Sequence, residues 1–87
     1  MHLIAEITKR LQGFEPSILE LIDESAMHTG HKGNSGGGHF KLKITSSHFY
    51  GKTQIMRHRL IYQTVTDLIP SKIHALSMIA LAPDELY

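Results

Sequence analysis

His39-Phe40-Lys41-Leu42-Lys43-Ile44-Thr45-Ser46 alternates with a period of two. Phe40, Leu42 and Ile44 fall on one side, and His39, Lys41 and Lys43 on the other. A strand turns successive side chains to opposite faces, so this run predicts a β-strand with one face on a core and one face in water. Immediately before it, His28 to Gly38 (HTGHKGNSGGG) has no apolar residue and five glycines, and reads as a loop. Before the loop, Ser17 to Ser25 (SILELIDES) is short and rich in Ile and Leu. Periodicity alone does not separate strand from helix there, but its length, the preceding Pro16 and the following loop favour a strand. The two strands should then pair as an antiparallel hairpin across the glycine loop.

Further out, Leu3, Ile4, Ile7 and Leu11 recur at helical spacing, with Glu6, Lys9 and Arg10 between them. This predicts an amphipathic helix over about residues 2–12, stopped at Gly13 before Pro16. On the other side, Phe49-Tyr50-Gly51-Lys52 punctuates the chain before a long helix, roughly Lys52 to Ile69, ended by Pro70. At about 100° per residue, Ile55, His58, Ile61, Tyr62, Val65, Leu68 and Ile69 share one broad face. Met56 and Leu60 fall outside it, a weak sign of a contact surface. Ile73 to Leu81 (IHALSMIAL) reads as a final strand.

The order helix, strand, strand, helix, strand implies one α+β domain over residues 1–87, with both helices on one face of a three-stranded mixed sheet. The last two strands are joined by a helical crossover, so as neighbours they run parallel. His39 opens one and His74 lies near the start of the other. Both then belong to the same edge of the sheet, beside the glycine loop.

Composition narrows the function. The chain has 87 residues, nine Lys or Arg against eight Asp or Glu, and a formal net charge of +1. That balance argues against a purely electrostatic nucleic-acid binder. It has no cysteine, so it offers no thiolate to a metal and no disulfide. The start Met1-His2-Leu3-Ile4 lacks the marks of a secretory signal, and no apolar run is long enough to span a bilayer, so a soluble, cytoplasmic chain without membrane contact is expected. No phosphate loop, Ser-His-Asp arrangement or acid/base carboxylate pair stands out, and enzymatic activity is not expected. Seven histidines are unusual for this length: His2, His28, His31, His39, His48, His58 and His74. Histidine is the commonest metal ligand. Imidazole suits Zn, Cu, Ni and Fe alike, and no closed structural zinc site matches the spacing.

Several segments together resemble the BolA family. They are Asp23-Glu24-Ser25 followed by His28, His39-Phe40-Lys41, Phe49-x-Gly51, Arg57-His58-Arg59-Leu60-Ile61-Tyr62, and Ile73-His74-Ala75-Leu76-Ser77. The likeness runs over nearly the whole chain. It implies a fold similar to the type II KH domain, no enzymatic activity, and partnership with a monothiol glutaredoxin. Such pairs share a [2Fe–2S] cluster in cluster delivery or iron sensing, and some bacterial members are described as DNA-binding transcriptional regulators of the stress and morphology type. A eukaryotic member would sit in a compartment like the mitochondrial matrix. The resemblance makes His74 the main cluster ligand and draws a second from the loop before the second strand, left open among His28, His31 and His39. The lack of cysteine fits a shared site, since clusters are held mainly by thiolates that a partner would supply. Alone, the protein is then expected to be a cluster-free monomer, and with its partner a heterodimer. The Gly-x-x-Gly turn between helices by which KH domains grip nucleic acid is missing here.

Two further readings follow from position. His58, inside the apolar stripe of the long helix, is expected to be a core histidine. Lys41, Lys43, Lys52, Arg57 and Arg59 are the side chains available for a nucleic-acid or partner contact, with Lys32 beside them in the loop.

Overall fold

The computed structural model describes residues 3–25 and 38–85. Helix α1 spans Leu3–Leu11, β1 Ile18–Asp23, β2 Gly38–Thr45, α2 Gln54–Val65 and β3 Ile73–Leu81. Short 3-10 turns follow α1 (Gln12–Phe14), precede α2 (Ser47–Phe49) and extend it (Thr66–Leu68). The strands pair in the order β1-β2-β3, with β1 antiparallel and β3 parallel to β2. The fold class, strand order and strand directions expected from the sequence are all present.

The alternation in β2 does what its pattern demands. Phe40, Leu42 and Ile44 are buried, while Lys41 is exposed and Lys43 partly so. The buried side meets Ile7 and Leu11 of α1, Ile61 and Val65 of α2, and Leu76 and Ala80 of β3 in one core. The other side of the sheet carries Lys41 and Lys43, with Ile22 and Glu20 opposite them on β1 and Ser77 and Ile79 on β3. A Lys43–Glu20 ion pair of 3.8 Å crosses this face.

Helix α2 departs from its expected face. Buried on it are Arg57, Ile61 and Val65, continued by Leu68, whereas Ile55 is 71% exposed and Tyr62 39%; Met56 is exposed, as expected. The reason is Arg57. Its Nε donates to the Lys52 carbonyl (2.9 Å), and Nη1 donates to the Ala80 carbonyl (2.9 Å) and to Glu85 Oε1 (2.6 Å). Nη2 donates to Glu85 Oε2 (3.0 Å). A helical wheel puts arginine outside by residue type, but a guanidinium whose three nitrogens each find oxygen can be buried with its stem in the core. The apolar face is therefore turned by roughly half a residue step, about 50°, toward Arg57, while Ile61, Val65 and Leu68 stay buried as expected. His58 is accordingly only partly buried and is not a member of the core, contrary to its expected place. His58→Ala should change stability by no more than about 0.5 kcal/mol, the usual range away from core and network positions. Thermal unfolding checks this, and a loss of several degrees would return His58 to the core.

Helix α1 stops at Leu11, close to the expected stop at Gly13, and a 3-10 turn carries the chain on to Glu15. Glu15 takes the left-handed conformation (φ 51°), and its carboxylate meets His48 Nε2 at 3.0 Å. Gly51 does carry the positive φ (72°) that a turn before α2 needs. Thr53 then caps α2, its hydroxyl accepting from the Met56 amide at 3.2 Å. Along the outer side of β3, the Tyr62 hydroxyl donates to the Leu76 carbonyl (3.0 Å), in the same way as Arg57 reaches Ala80.

Candidate functional site

The parallel pairing of β2 with β3 brings two histidines together. The ring centres of His39 and His74 are 5.1 Å apart, with the planes inclined by 40°. His74 is exposed and His39 partly buried. Topology explains the meeting: each lies near the start of a strand, and the strands run side by side in one direction.

A local irregularity sets the detail. Gly38 pairs with Ile73, but His39 pairs with Ala75, so His74 is an extra residue on β3 with no partner of its own across the ladder. Such a bulge re-aims side chains, is rare between parallel strands, and is over-represented beside functional sites. Here it leaves Ile73 1% exposed in the core while the next residue, His74, is free to turn outward.

The His39 backbone is fixed on both sides by the end of β1. Its amide donates to Ser25 Oγ (3.0 Å), and its carbonyl accepts from the Glu24 amide (2.7 Å). Ser25 is in turn held by Asp23, whose Oδ1 accepts from the Ser25 amide at 2.8 Å. The Ser25 hydroxyl and then its amide hold the Asp23 carboxyl below its ordinary range. The Asp23-Glu24-Ser25 segment thus serves as the brace for His39, a role its sequence does not announce.

The other expected residues are dispersed. Lys41 and Lys43 lie on the sheet face away from the helices, whereas Lys52 Nζ donates to the His48 carbonyl (2.7 Å) at the start of α2. Arg59 is exposed on α2. Arg57 is a correction: it is 4% exposed and its guanidinium is taken up by Glu85 and backbone carbonyls, so it presents no charge to a partner. The basic side chains are divided between the two layers and make no single patch. His28, His31 and Lys32 lie outside the described residues. Among the described residues no group of three or more His, Asp or Glu is placed to hold a metal ion, and no helix is long and apolar enough to cross a membrane.

A family model described as BolA-like protein matches residues 11–85. The chain belongs to the BolA family. Among its BolA-like relatives, SufE-like protein 1, chloroplastic/mitochondrial, of Arabidopsis thaliana is 42% identical over 99% of this chain. The chain spans 24% of the length of that protein. The DNA-binding transcriptional regulator BolA of Vibrio cholerae is 40% identical over 83% of this chain and 67% of its own length. Among solved structures, the BolA domain of SufE1 from Arabidopsis thaliana superposes with a TM-score of 0.81 at 41% identity, covering 94% of this chain and 93% of that one. The BolA-like assignment made from the sequence segments and the α+β architecture are both borne out by these matches.

Proposed function

We propose that this BolA-like chain acts without enzymatic activity as the partner of a monothiol glutaredoxin, sharing a [2Fe–2S] cluster as cargo for delivery or iron sensing. The observation that carries the reading is the His39–His74 pair at an open end of the sheet, 5.1 Å between ring centres. The donor set suits such a cluster. The chain has no cysteine, so it cannot complete a thiolate site alone, while two imidazoles can replace two thiolates on one iron, as in Rieske centres. The remaining positions fall to the partner's thiolates. In this reading His74 is the principal ligand, and His39 competes with His28 and His31 as the second. The braced backbone of His39 favours it, because a preorganised ligand loses less freedom on binding.

The test is anaerobic co-purification with the host's monothiol glutaredoxin, followed by visible absorption and circular dichroism. His74→Ala should alter the spectrum of the shared cluster while leaving the fold intact, since the residue is exposed and outside the core. A spectrum identical to that of the unaltered pair would rule out His74 as a ligand. Alanine at His28, His31 and His39 in turn identifies the second one.

A second reading, a DNA-binding transcriptional regulator, is favoured by the name of the Vibrio cholerae relative. The division of the basic side chains between two layers weighs against it. Binding to duplex DNA should be weak and fall steeply with salt, as expected of scattered phosphate contacts. Tight, sequence-selective binding at physiological salt that is lost on Arg59→Ala would put this reading first.

A further inference from the structure

Helix α2 carries large apolar side chains on the side that the fold leaves uncovered. At about 100° per residue, Arg57, Ile61 and Val65 share its buried side, and Ile55, Met56, Arg59, Tyr62 and Gln63 share the opposite one. Ile55 is 71% exposed, Met56 46% and Tyr62 39%. Spacings of three, four and seven residues join this set into one strip along the helix. Charge is one-sided in the same region: residues 25–66 hold six of the nine Lys and Arg and none of the eight Asp and Glu. We propose that this strip is the docking surface for an acidic amphipathic helix of a partner protein, whose apolar side chains cover Ile55, Met56 and the Tyr62 ring and whose carboxylates meet Arg59.

The helix presents both halves of that chemistry ready-made. Ile55 and Arg59 are one turn apart, so an apolar anchor and a cation stand side by side. The Tyr62 hydroxyl is held by the Leu76 carbonyl at 3.0 Å, and a ring already fixed loses little freedom on binding. Apolar contact along the strip supplies affinity, while the basic surroundings attract an acidic helix and repel a basic one. Nucleic acid satisfies only the charge. A phosphate backbone laid here would cross three apolar side chains, and the ammonium of Lys52, next along, already donates to the His48 carbonyl (2.7 Å). The surface also stands apart from the histidine pair. Arg57, in the first turn of α2, reaches the Ala80 carbonyl, whereas His74 lies six residues earlier on β3, about 20 Å along the strand. The inference therefore goes beyond the shared-cluster reading and needs neither those histidines nor a cluster.

The probe is a synthetic helical peptide with leucines at one-turn spacing flanked by glutamates. It is titrated into the full chain while amide and methyl signals are followed by nuclear magnetic resonance. A twin peptide with lysines in place of the glutamates and a duplex DNA of random sequence serve as comparisons. Shifts at Ile55, Met56 and Tyr62, weakening by added salt, and no comparable binding of the lysine twin are expected. The Ile55→Ala/Met56→Ala double variant should lose about tenfold or more in affinity, as truncation of apolar anchors does. Arg59→Glu should weaken the acidic peptide and strengthen its lysine twin. All three positions are exposed, so the melting temperatures of these variants should stay within a few degrees of the unaltered chain. His74→Ala should bind the peptide as the unaltered chain does. Overturning results are no binding at submillimolar peptide, equal binding of the two peptides, shifts confined to other surfaces, unchanged affinity in the double variant, loss of binding in His74→Ala, or tighter binding of DNA through these same residues. The two readings fail separately: a chain that binds the peptide but forms no cluster with glutaredoxin keeps this inference and removes the other, and the reverse outcome does the opposite.

Discussion

Replacing Arg57 by Ala should lower the stability of the domain by about 3 kcal/mol, from a buried carbonyl left unpaired and a void in the core rather than from the ion pair itself, whose Glu85 partner is exposed. At roughly 4–8 °C per kcal/mol for a domain of this size, the melting temperature should drop by about 12–24 °C. Four contacts go at once: the Lys52 and Ala80 carbonyls and both oxygens of Glu85. The guanidinium also lies 5.9 Å from the centre of the Phe49 ring, whose side chain is fully buried. The truncation therefore opens a void beside the largest core residue as well as stranding a carbonyl of β3. Lysine should not rescue it, because a point charge cannot reach two carboxylate oxygens and two carbonyls in one plane. A melting temperature within a few degrees of the unaltered chain would mean that the clamp is dispensable.

The same clamp gives a pH dependence of defined sign. Arg57 and then the Ala82 amide (2.9 Å) hold the Glu85 carboxyl down to about 2, below its ordinary 4.5. A carboxyl depressed in the folded state contributes stability that is complete above its unfolded value and disappears as pH falls through the folded one. Between about pH 4.5 and pH 2 the advantage of the unaltered chain over Glu85→Gln should shrink toward nothing. Glu6 and Asp67, both lowered by hydrogen bonds from Arg10, titrate in both chains, so the difference between the two melting curves isolates Glu85.

The second large effect is expected at Gly38. A Cβ there would lie 2.7 and 2.8 Å from two ring carbons of Phe40 and 3.0 Å from Ser25 Oγ. Phe40 is 3% exposed and packed in the core, so its ring has little room to yield. Gly38→Ala should cost about 1–3 kcal/mol by overpacking, and whatever relief is found must come from Phe40 or from Ser25. Ser25 is the brace of His39, so the change also reaches the site: the His39 and His74 imidazole signals should move in the variant. Thermal unfolding and the histidine region of the proton spectrum measure the two consequences together. An unchanged melting temperature would show that the Phe40 ring can step aside, and unchanged histidine signals that the brace is rigid enough to ignore it.

Much of this was legible in the sequence because two simple periods carried it. The alternation from Phe40 to Ile44 gave β2 and its faces, and the apolar run Ile73 to Leu81 gave β3 with both of its ends. A helix between two neighbouring strands gave the parallel pairing, and with it the shared edge of His39 and His74. What could not be read depended on contacts distant in sequence. The face of α2 turned on a carboxylate 28 residues away at Glu85, and pattern analysis has no means of crediting an arginine with a partner it cannot see. The bulge at His74 is a one-residue offset between strands, invisible to any reading of β3 alone. The stop of α1 near Gly13 was legible, but the left-handed residue at Glu15, where the chain turns before Pro16, has no signal in its residue type. His28 and His31 lie outside the described residues, so the choice of loop ligand stays with the substitution series.

The hydroxyl of Tyr62 on Leu76 and the guanidinium of Arg57 on Ala80 have a consequence for how the protein behaves in concentrated solution. A nine-residue border strand such as β3 is a ready template for a stray strand from another molecule, and self-association of this kind begins at its outward carbonyls. Two of them, four residues apart, are already occupied by side chains of the protein's own helix. An incoming strand would have to evict both before it could zip along the border. Losing either cap would therefore harm colloidal behaviour beyond its effect on folding, with aggregates growing from chains that are still largely native.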